Sequence, residues 1–190
     1  LPAQHAAAPD PVRLADIAED LVKRALAAGA DAADASLSES RALEASVRDG
    51  ALEEIERSES IDAGLRVLVG KRQAGVAFSD LSEDGRRLAV ERAVAMAKAA
   101  PEDPYAGLLD SGELARSIPE IEMYDAPDWD AVALEETALK LEAAARSLPE
   151  IVQIAGCGAS VGARAGALVA SNGFVGTRLS SSRGLGVAPV

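Results

Sequence analysis

The sequence contains few residues that could hold a metal ion. It has one histidine, His5, and one cysteine, Cys157, which lie far apart in the chain. Zinc in proteins is held by three or four His, Cys or carboxylate ligands. We therefore expect no metal site in this chain. His5 is expected to belong to a terminal arm, and Cys157 to be a small core residue rather than a nucleophile, because it lies in an apolar glycine-rich run.

That glycine-rich run superficially resembles a dinucleotide-binding loop. Gly156-Cys157-Gly158 and Gly162 follow the apolar residues Ile151 to Ala155. A dinucleotide loop also needs a helix whose N-terminus meets the pyrophosphate, and an acidic residue about 20 positions further on. Arg164-Ala165-Gly166 interrupts the segment, and no Asp or Glu follows Glu150. The pattern favours glycine-rich strands with tight turns, and no cofactor.

Acidic and hydroxyl side chains are the remaining candidates for catalysis. Glu53, Glu54 and Glu56 could act as acid and base in a hydrolase, or as oxygen ligands of a hard cation. Adjacent strand residues point to opposite faces, so Glu53 and Glu54 should not converge, and a solvated strand with charges facing a partner is favoured. The serines lack a second histidine or an obvious lysine base nearby in the sequence. They are Ser58, Ser60, Ser171 and Ser180 to Ser182. We predict no catalytic, cofactor-binding or metal-binding residue.

The net charge of −12 is unevenly distributed along the chain. After Glu150 the only charged residues are Arg164, Arg178 and Arg183. An acidic body repels a polyanion, so direct binding to nucleic acid is disfavoured. The three arginines could form a phosphate patch, but a solvated strand face is the favoured interpretation.

Composition indicates a globular protein with a core of small aliphatic residues. Hydrophobic residues make up 48% of the chain and aromatic residues 3%. The longest apolar runs are far shorter than the ~20 residues that span a bilayer, and no leader with a cleavage site opens the chain. A single cysteine agrees with a reducing compartment. We expect a cytoplasmic protein without a membrane partner.

The segment from Ala33 to Phe78 is predicted to be a four-stranded antiparallel meander. Its apolar residues recur with a period of two, which is typical of strands with one buried face. Asp49-Gly50 is expected to form a two-residue hairpin turn with positive φ, and Gly70-Lys71-Arg72 a second break. The apolar positions are Ala33, Ala35, Leu37, Leu43, Ala45, Val47, Ile61, Ala63, Leu65, Val67 and Val69.

Three helices are predicted around this meander. The first begins at Asp10-Pro11, an N-cap followed by proline, and ends at Gly29. The second is capped by Ser82 and runs to about Ala99, and the third runs from about Asp130 to Leu148. The expected inward residues of the first are Leu14, Ile17, Ala18, Leu21, Val22, Ala25 and Leu26. Those of the second are Leu88, Ala95, Met96 and Ala99, and those of the third Leu134, Ala138, Leu141, Ala145 and Leu148.

From Ile151 onward the sequence returns to strand. Runs over 151–161 and 167–171 are followed by Asn172-Gly173 and by a further strand from Phe174. Asn172-Gly173 is a strong hairpin signal, and we expect it to form a two-residue turn with positive φ at Gly173. We therefore predict an α+β fold, an antiparallel β-meander with helices on one face, followed by the first strands of a second β-rich domain. The predicted divisions are a flexible arm at 1–10, an amino-terminal α+β domain at 11–149, and the start of a truncated β-rich domain at 150–190.

An ordered set of short segments resembles one known family. They are the run 47–56 (VRDGALEEIE), Ser58-Glu59-Ser60, Gly64-Leu65-Arg66-Val67, Gly70-Lys71-Arg72, Ser79-Asp80-Leu81-Ser82, the loop 101–108 (PEDPYAGL) and Ser171-Asn172-Gly173-Phe174. In this order they resemble the amino-terminal domain of the TldD/PmbA family, also called modulators of DNA gyrase. The resemblance covers roughly residues 14 to 187. The amino-acid sequence of the loop favours the PmbA (TldE) branch of the family.

The resemblance implies a role in a protease complex. Two related subunits, TldD and PmbA, pair in this family to trim peptides, and TldD-type members hold zinc through an HExxxH motif in their carboxy-terminal domain. The chain would then be a fragment of the non-metal subunit, without a cofactor of its own. Its expected partners are a TldD-type paralogue or further copies of itself, and the peptide substrate of the complex.

Two alternatives remain open at the level of sequence. The chain could be a regulatory protein-binding module without a proteolytic role, as the name gyrase modulator suggests. It could also be the amino-terminal part of a TldD-type zinc metallopeptidase, whose motif would lie in further residues downstream. The resemblance implies such a downstream domain in each case.

Overall fold

The computed structural model describes residues 8–115, 117–119, 121–128 and 130–190. Three helices and one five-stranded antiparallel sheet form the fold, which confirms the predicted α+β class. The helices are α1 (Pro11–Ala27), α2 (Glu83–Ala99) and α3 (Ala131–Arg146), and a single 3-10 turn covers Ser111–Glu113. The strands are β1 (Ala32–Arg48), β2 (Ala51–Val69), β3 (Arg72–Phe78), β4 (Ile154–Ala170) and β5 (Val175–Pro189).

The sheet is arranged around β1, and its spatial order is β3-β2-β1-β4-β5. β1 pairs with β2 on one side and with β4 on the other, where the register runs from Asp34↔Ala170 to Val47↔Cys157. The two strands after Pro149 therefore extend the sheet that the meander begins. The expected division of the chain at residue 149 stays a prediction.

The meander has three strands, so the prediction of four is wrong. β1 continues for 17 residues through its polar middle section without a turn. Ser40 lies opposite Ser60 of β2 and opposite Arg164 of β4, so backbone pairing on both sides holds this section extended. Sequence periodicity could not show this pairing, because the partners come from distant parts of the chain.

Two turns carry the positive φ angles that were predicted for their glycines. Asp49 and Gly50 have φ of 52° and 78°, and Arg48 pairs with Ala51, which confirms the two-residue hairpin. Gly173 has φ of 95°. Its turn contains three residues, however, because the N–H of Ala170 donates to the carbonyl of Phe174 at 2.9 Å. The prediction of a two-residue turn at Asn172-Gly173 is therefore wrong.

The starts of the three helices were predicted correctly, those of α1 and α2 from their capping residues. Asp10 accepts hydrogen bonds from the N–H groups of Val12 and Arg13, directly before Pro11. Ser82 and Asp130 cap α2 and α3 in the same way, with N···O distances of 3.1 and 2.9 Å. Each cap satisfies backbone donors that a helix leaves without internal partners.

The inward face predicted for α2 is wrong. Leu88 and Met96 are 60% and 45% exposed. The buried residues of α2 are smaller and occupy neighbouring positions: Ala89, Val90, Ala93, Val94 and Ala97. Small residues allow the helix to lie close to β2 and β3, so packing rather than side-chain size sets its orientation.

All three helices cover the same face of the sheet. Odd-numbered residues of β1 and β4 are buried below them in two clusters, one under α1 and α2 and one under α3. A polar seam separates the clusters on β1, where Glu39 forms ion pairs with Arg41 and with Arg13 of α1. The seam explains why the apolar alternation of β1 stops between Leu37 and Leu43.

Candidate functional site

The opposite face of the sheet has no helix above it among the described residues. Because alternate strand residues point to opposite faces, the even-numbered residues of β1 and β4 lie on this side. We call it the open face. Serine and glycine dominate it, and β1, β4 and β5 contribute Ser36, Ser38, Ser40, Ser46, Gly158, Ser160, Gly162, Gly166, Gly176, Ser180, Ser182 and Gly184.

The loop after α2, over residues 100–110, folds over one end of the open face. The N–H of Asp103 donates to the carbonyl of Lys71 at 2.7 Å, and the Lys71 ammonium donates to the carbonyl of Ala106 at 3.3 Å. The Asn172 side-chain amide then donates to the carbonyl of Leu109 at 2.9 Å. These bonds fix the loop against the β2–β3 turn and against the β4–β5 turn.

A hollow of about 650 Å³ lies between this loop and the sheet. Its floor contains an ion pair between Arg66 of β2 and Asp34 of β1, with an N···O distance of 2.6 Å. Its walls are mostly apolar and include Leu168, Phe174 and Tyr105, which is 94% exposed, while Glu113 and Asn172 are polar residues of the lining. A hollow with apolar walls and a charged floor suits an apolar side chain that ends in a polar group.

A second hollow of about 580 Å³ adjoins the first and shares Leu168 and Phe174 with it. Arg164 of β4 and Arg178 of β5 line it. They are diagonal neighbours on the two strands, because Arg178 pairs with Gly166, two positions from Arg164. Arg164 makes one long contact of 3.4 Å to Ser38. Arg178 has no hydrogen-bond or ion-pair partner within the described ranges. Both guanidinium groups are therefore available to a carboxylate or another acceptor.

Phe174 joins the two hollows because Gly176 leaves room for its ring. A Cβ atom at Gly176 would lie 3.0 Å from two ring carbons of Phe174. This is closer than side chains normally approach, so any other residue would push the ring away. The two residues are only two positions apart, but the contact depends on the orientation of the Phe174 side chain, which the sequence does not give.

At the other end of the sheet, a buried carboxylate joins α3 to the β1–β2 turn. Glu142 of α3 is 2% exposed and accepts hydrogen bonds from the N–H groups of Asp49 and Gly50, each at 2.9 Å. Arg146 also donates to it, at 3.1 Å. Burial raises the pKa of Glu142, but the hydrogen bonds from Gly50, Arg146 and Asp49 outweigh this effect and hold the pKa below its usual value.

Sequence analysis missed Glu142, although a signal was present. It follows Leu134 and Ala138 at intervals of four, on the apolar stripe of α3. A lone acid on such a stripe is buried only where it finds several donors, and the β1–β2 turn supplies them. The predicted inward residue Leu148 is instead half exposed.

Cys157 lies in the core under α3, as predicted. It is 5% exposed, and its thiol donates to the carbonyl of Ala138 at 3.4 Å. Burial, and to a lesser degree the Glu142 carboxylate, raise the pKa of this thiol. A thiol that resists ionisation is a poor nucleophile and a poor metal ligand.

The residues present do not fit a zinc site. Across the described ranges, no three His, Cys, Asp or Glu side chains are arranged to hold a metal ion. His5 lies outside the described residues. Glu53 forms an ion pair with Arg48, while the next residue, Glu54, is opposite Ser46 of β1. We derive no catalytic step through a metal for this part of the chain.

The candidate serines make structural contacts. Ser40 and Ser60 hydrogen-bond each other across β1 and β2 at 2.8 Å. Ser171 accepts from the N–H of Ala33 at 3.1 Å, and Ser181 accepts from the N–H of Asp125 at 2.9 Å. No histidine or lysine approaches these hydroxyls among the described residues, so the arrangement provides a binding surface and no activated nucleophile.

Comparison with known proteins identifies relatives over most of the chain. Residues 33–97 match the family model described as PmbA/TldA metallopeptidase domain 1. A curated protein, the metalloprotease PmbA homolog of Haemophilus influenzae, is 34% identical over 162 residues. The match covers 84% of the present chain and 36% of the relative, so the chain spans little more than a third of that protein.

Solved structures share the fold. A protein of Bacteroides thetaiotaomicron described as a modulator of DNA gyrase superposes with a TM-score of 0.76 at 19% identity, over 90% of this chain and 40% of that chain. TldE from Thermococcus kodakarensis gives a TM-score of 0.71 at 20% identity, over 90% and 39%. A gyrase-modulator protein of Thermotoga maritima gives 0.71 at 13% identity, over 90% and 38%.

No helix within the described ranges combines the length and the apolar character needed to cross a bilayer.

Proposed function

Because the chain belongs to the PmbA/TldD family, we propose that it is part of the non-metal, PmbA-type subunit of a two-subunit peptide-processing complex. The observation that carries this proposal is the 34% identity to a metalloprotease PmbA homolog over 84% of the chain. The fold shared with TldE agrees with the same branch of the family. We place the protein in the cytoplasm, as its composition favours.

The proposed role of this region is to bind and not to cleave. The buried thiol, the structural serines and the scattered carboxylates offer no group that could attack a peptide bond. The open face, with two hollows and the arginines Arg164 and Arg178, offers a surface of small residues onto which another layer of protein can pack closely. We propose that zinc belongs to a TldD-type partner, and that residues 150–190 lead into a β-rich domain of the longer protein.

Metal content and assembly test this proposal. The full-length protein and its TldD-type paralogue are purified separately, and zinc is measured in each. The full-length protein should contain no stoichiometric zinc, and light scattering of the mixture should show a complex larger than either protein alone. One zinc per chain in the full-length protein, or two proteins that stay separate, would argue against the proposal.

A pair of variants tests the part played by the open face. Arg178→Glu reverses a charge in the second hollow, whereas Arg92→Glu makes the same change on the exposed side of α2, far from the open face. We expect Arg178→Glu to weaken assembly and Arg92→Glu to leave it unchanged. Equal effects would show that the open face has no special part in the assembly.

Regulation of gyrase is the second candidate function. It is favoured by one observation, the fold shared with proteins described as modulators of DNA gyrase. The net charge of −12 makes a protein partner more suitable than DNA itself. Supercoiling by gyrase, measured with and without the full-length protein, separates the two functions, since the peptide-processing proposal predicts no change.

A further inference from the structure

The first half of β2 has a free edge. β3 pairs only with residues 63–69 of β2, so the outer side of residues 51–62 has no strand partner among the residues that the structure describes. Residues 51–60 are exposed on both faces of the sheet. We call residues 51–62 the β2 edge. At about 3.3 Å per residue its length is on the order of 40 Å, which is ample for a short peptide in strand conformation.

The direction of the backbone groups follows from one hydrogen bond. The carbonyl of Leu68 accepts from the N–H of Asp31, on the side of β1. Because direction alternates along a strand, the even-numbered residues of β2 pair with β1. The N–H and C=O groups of Ile55, Arg57, Glu59 and Ile61 therefore point away from the sheet. They form a row of unused donors and acceptors that a further strand could satisfy.

One side of the β2 edge carries acidic side chains. Glu54, Glu56 and Asp62 stand on the open face, and none of them has an ion-pair partner among the described residues. Glu44 of β1 lies directly opposite Glu56, so two like charges face each other without a cation between them. A strand with basic side chains on this side would relieve the repulsion.

The other side of the edge is partly apolar. The side chains of Leu52 and Ile55 are 40% and 44% exposed, and Ile61 is half buried at the margin of the core. Arg57 and Glu59 lie on the same side, opposite Leu43 and Arg41 of β1. A strand with apolar side chains on this side would remove them from water.

We propose that the β2 edge binds an extended polypeptide segment whose residues are alternately basic and apolar, by strand addition to the sheet. Backbone hydrogen bonds supply the docking, and the carboxylates with Leu52 and Ile55 select the sequence. A second copy of this chain is a poor occupant, because its own edge carries the same negative charges and its net charge is −12. The proposal goes beyond the subunit function, which uses the two hollows of the open face; of the acidic residues named here, only Asp62 also lines a hollow, the second one.

Binding of a defined peptide to the 190-residue chain tests the proposal. The probe is acetyl-Lys-Val-Lys-Val-Lys-Val-Lys-amide, titrated by calorimetry at low salt. Saturable one-to-one binding is expected, with affinity that falls as salt is added. A peptide with Glu at each Lys position should not bind. A peptide of the same composition in blocks, Lys-Lys-Val-Val-Val-Lys-Lys, should bind at least several-fold more weakly, because it cannot place its charges on one side only.

Variants of the edge make the test specific. Glu59→Pro removes a donor that points outward and leaves pairing with β1 intact, and Glu59→Gln removes the same charge but keeps the donor. Glu59→Pro should weaken binding about fivefold relative to Glu59→Gln. The double variant Glu54→Lys/Glu56→Lys should weaken it about tenfold or more. Circular dichroism confirms that each variant is folded.

Three results would overturn the proposal. One is no binding of the basic alternating peptide to the folded chain. Another is equal binding of the alternating and block peptides, since simple charge attraction would then suffice. A third is unchanged peptide binding by the Glu54→Lys/Glu56→Lys variant, because the carboxylates would then not select the peptide.

Discussion

Glu142 of α3 binds both N–H groups of the β1–β2 turn, those of Asp49 and Gly50, with one carboxylate oxygen for each. The two residues of the turn have positive φ, so their amides point in a direction that a regular strand would not provide. Arg146 donates to Glu142 and also to Asp49, which closes the contact on the solvent side. The buried carboxylate therefore joins the helix to the turn through charge-assisted hydrogen bonds at the margin of the core.

Replacing Glu142 should destabilise the protein substantially. Glu142→Ala removes the acceptor of two part-buried backbone hydrogen bonds, those from the N–H groups of Asp49 and Gly50, which costs about 1–3 kcal/mol. Glu136→Ala is the matched control, because Glu136 lies on the exposed side of α3. Unfolding in urea should give a lower free energy for Glu142→Ala than for the control. Equal free energies would show that water replaces the carboxylate without loss.

The same contact should make stability depend on pH in the acid range. The pKa of Glu142 in the folded protein lies below its usual value, so its stabilisation is present above the unfolded pKa and is lost as pH falls through the folded pKa. The free energy of unfolding should fall on acidification from about pH 5. In Glu142→Gln this part of the dependence should be missing. A variant whose pH profile matches that of the original chain would contradict the assignment.

Glycine should be required at both hairpin turns. Gly50→Val and Gly173→Val place a β-branched residue at positive φ, which should cost on the order of 1 kcal/mol or more each. Gly107→Ala is the control, because a Cβ there meets no atom within 4 Å and its φ is not in the strained region. Thermal unfolding compares the three variants. A small effect at Gly173 alone would show that its three-residue turn adjusts more easily.

Gly176 should be needed to keep Phe174 between the two hollows. Gly176→Val forces its side chain against the ring, so the ring should move and stability should fall by about 1–3 kcal/mol. Gly186→Val is the control, since it lies on the same strand and a Cβ there meets nothing within 4 Å. Proton chemical shifts of the Phe174 ring report its position. Unchanged shifts in Gly176→Val would contradict the contact.

Local rules predicted the parts of the fold that depend on neighbouring residues. The caps at Asp10 and Ser82, and the Asp49-Gly50 turn, each involve groups within a few positions of one another. The alternation of β1 likewise reported its buried face, because that face is set by the period of the strand.

The remaining features depend on contacts between distant residues. The pairing of β1 with β4 and the burial of Glu142 against the β1–β2 turn join residues that are far apart in the sequence. The face of α2 was predicted wrongly because Leu88 and Met96 are the larger apolar residues, while the sheet accepts the smaller ones. The hydrophobicity of single residues does not determine which face of a helix packs better against the sheet.

Cleavage of an unfolded peptide tests the central claim most directly. The full-length protein, its TldD-type paralogue and an equimolar mixture are each incubated with the peptide, and the products are followed by mass spectrometry. The account predicts shortening of the peptide by the mixture and none by the full-length protein alone. Cleavage by the full-length protein without its paralogue, or no cleavage by the mixture, would contradict the claim that this chain belongs to a non-metal subunit of a peptide-processing complex.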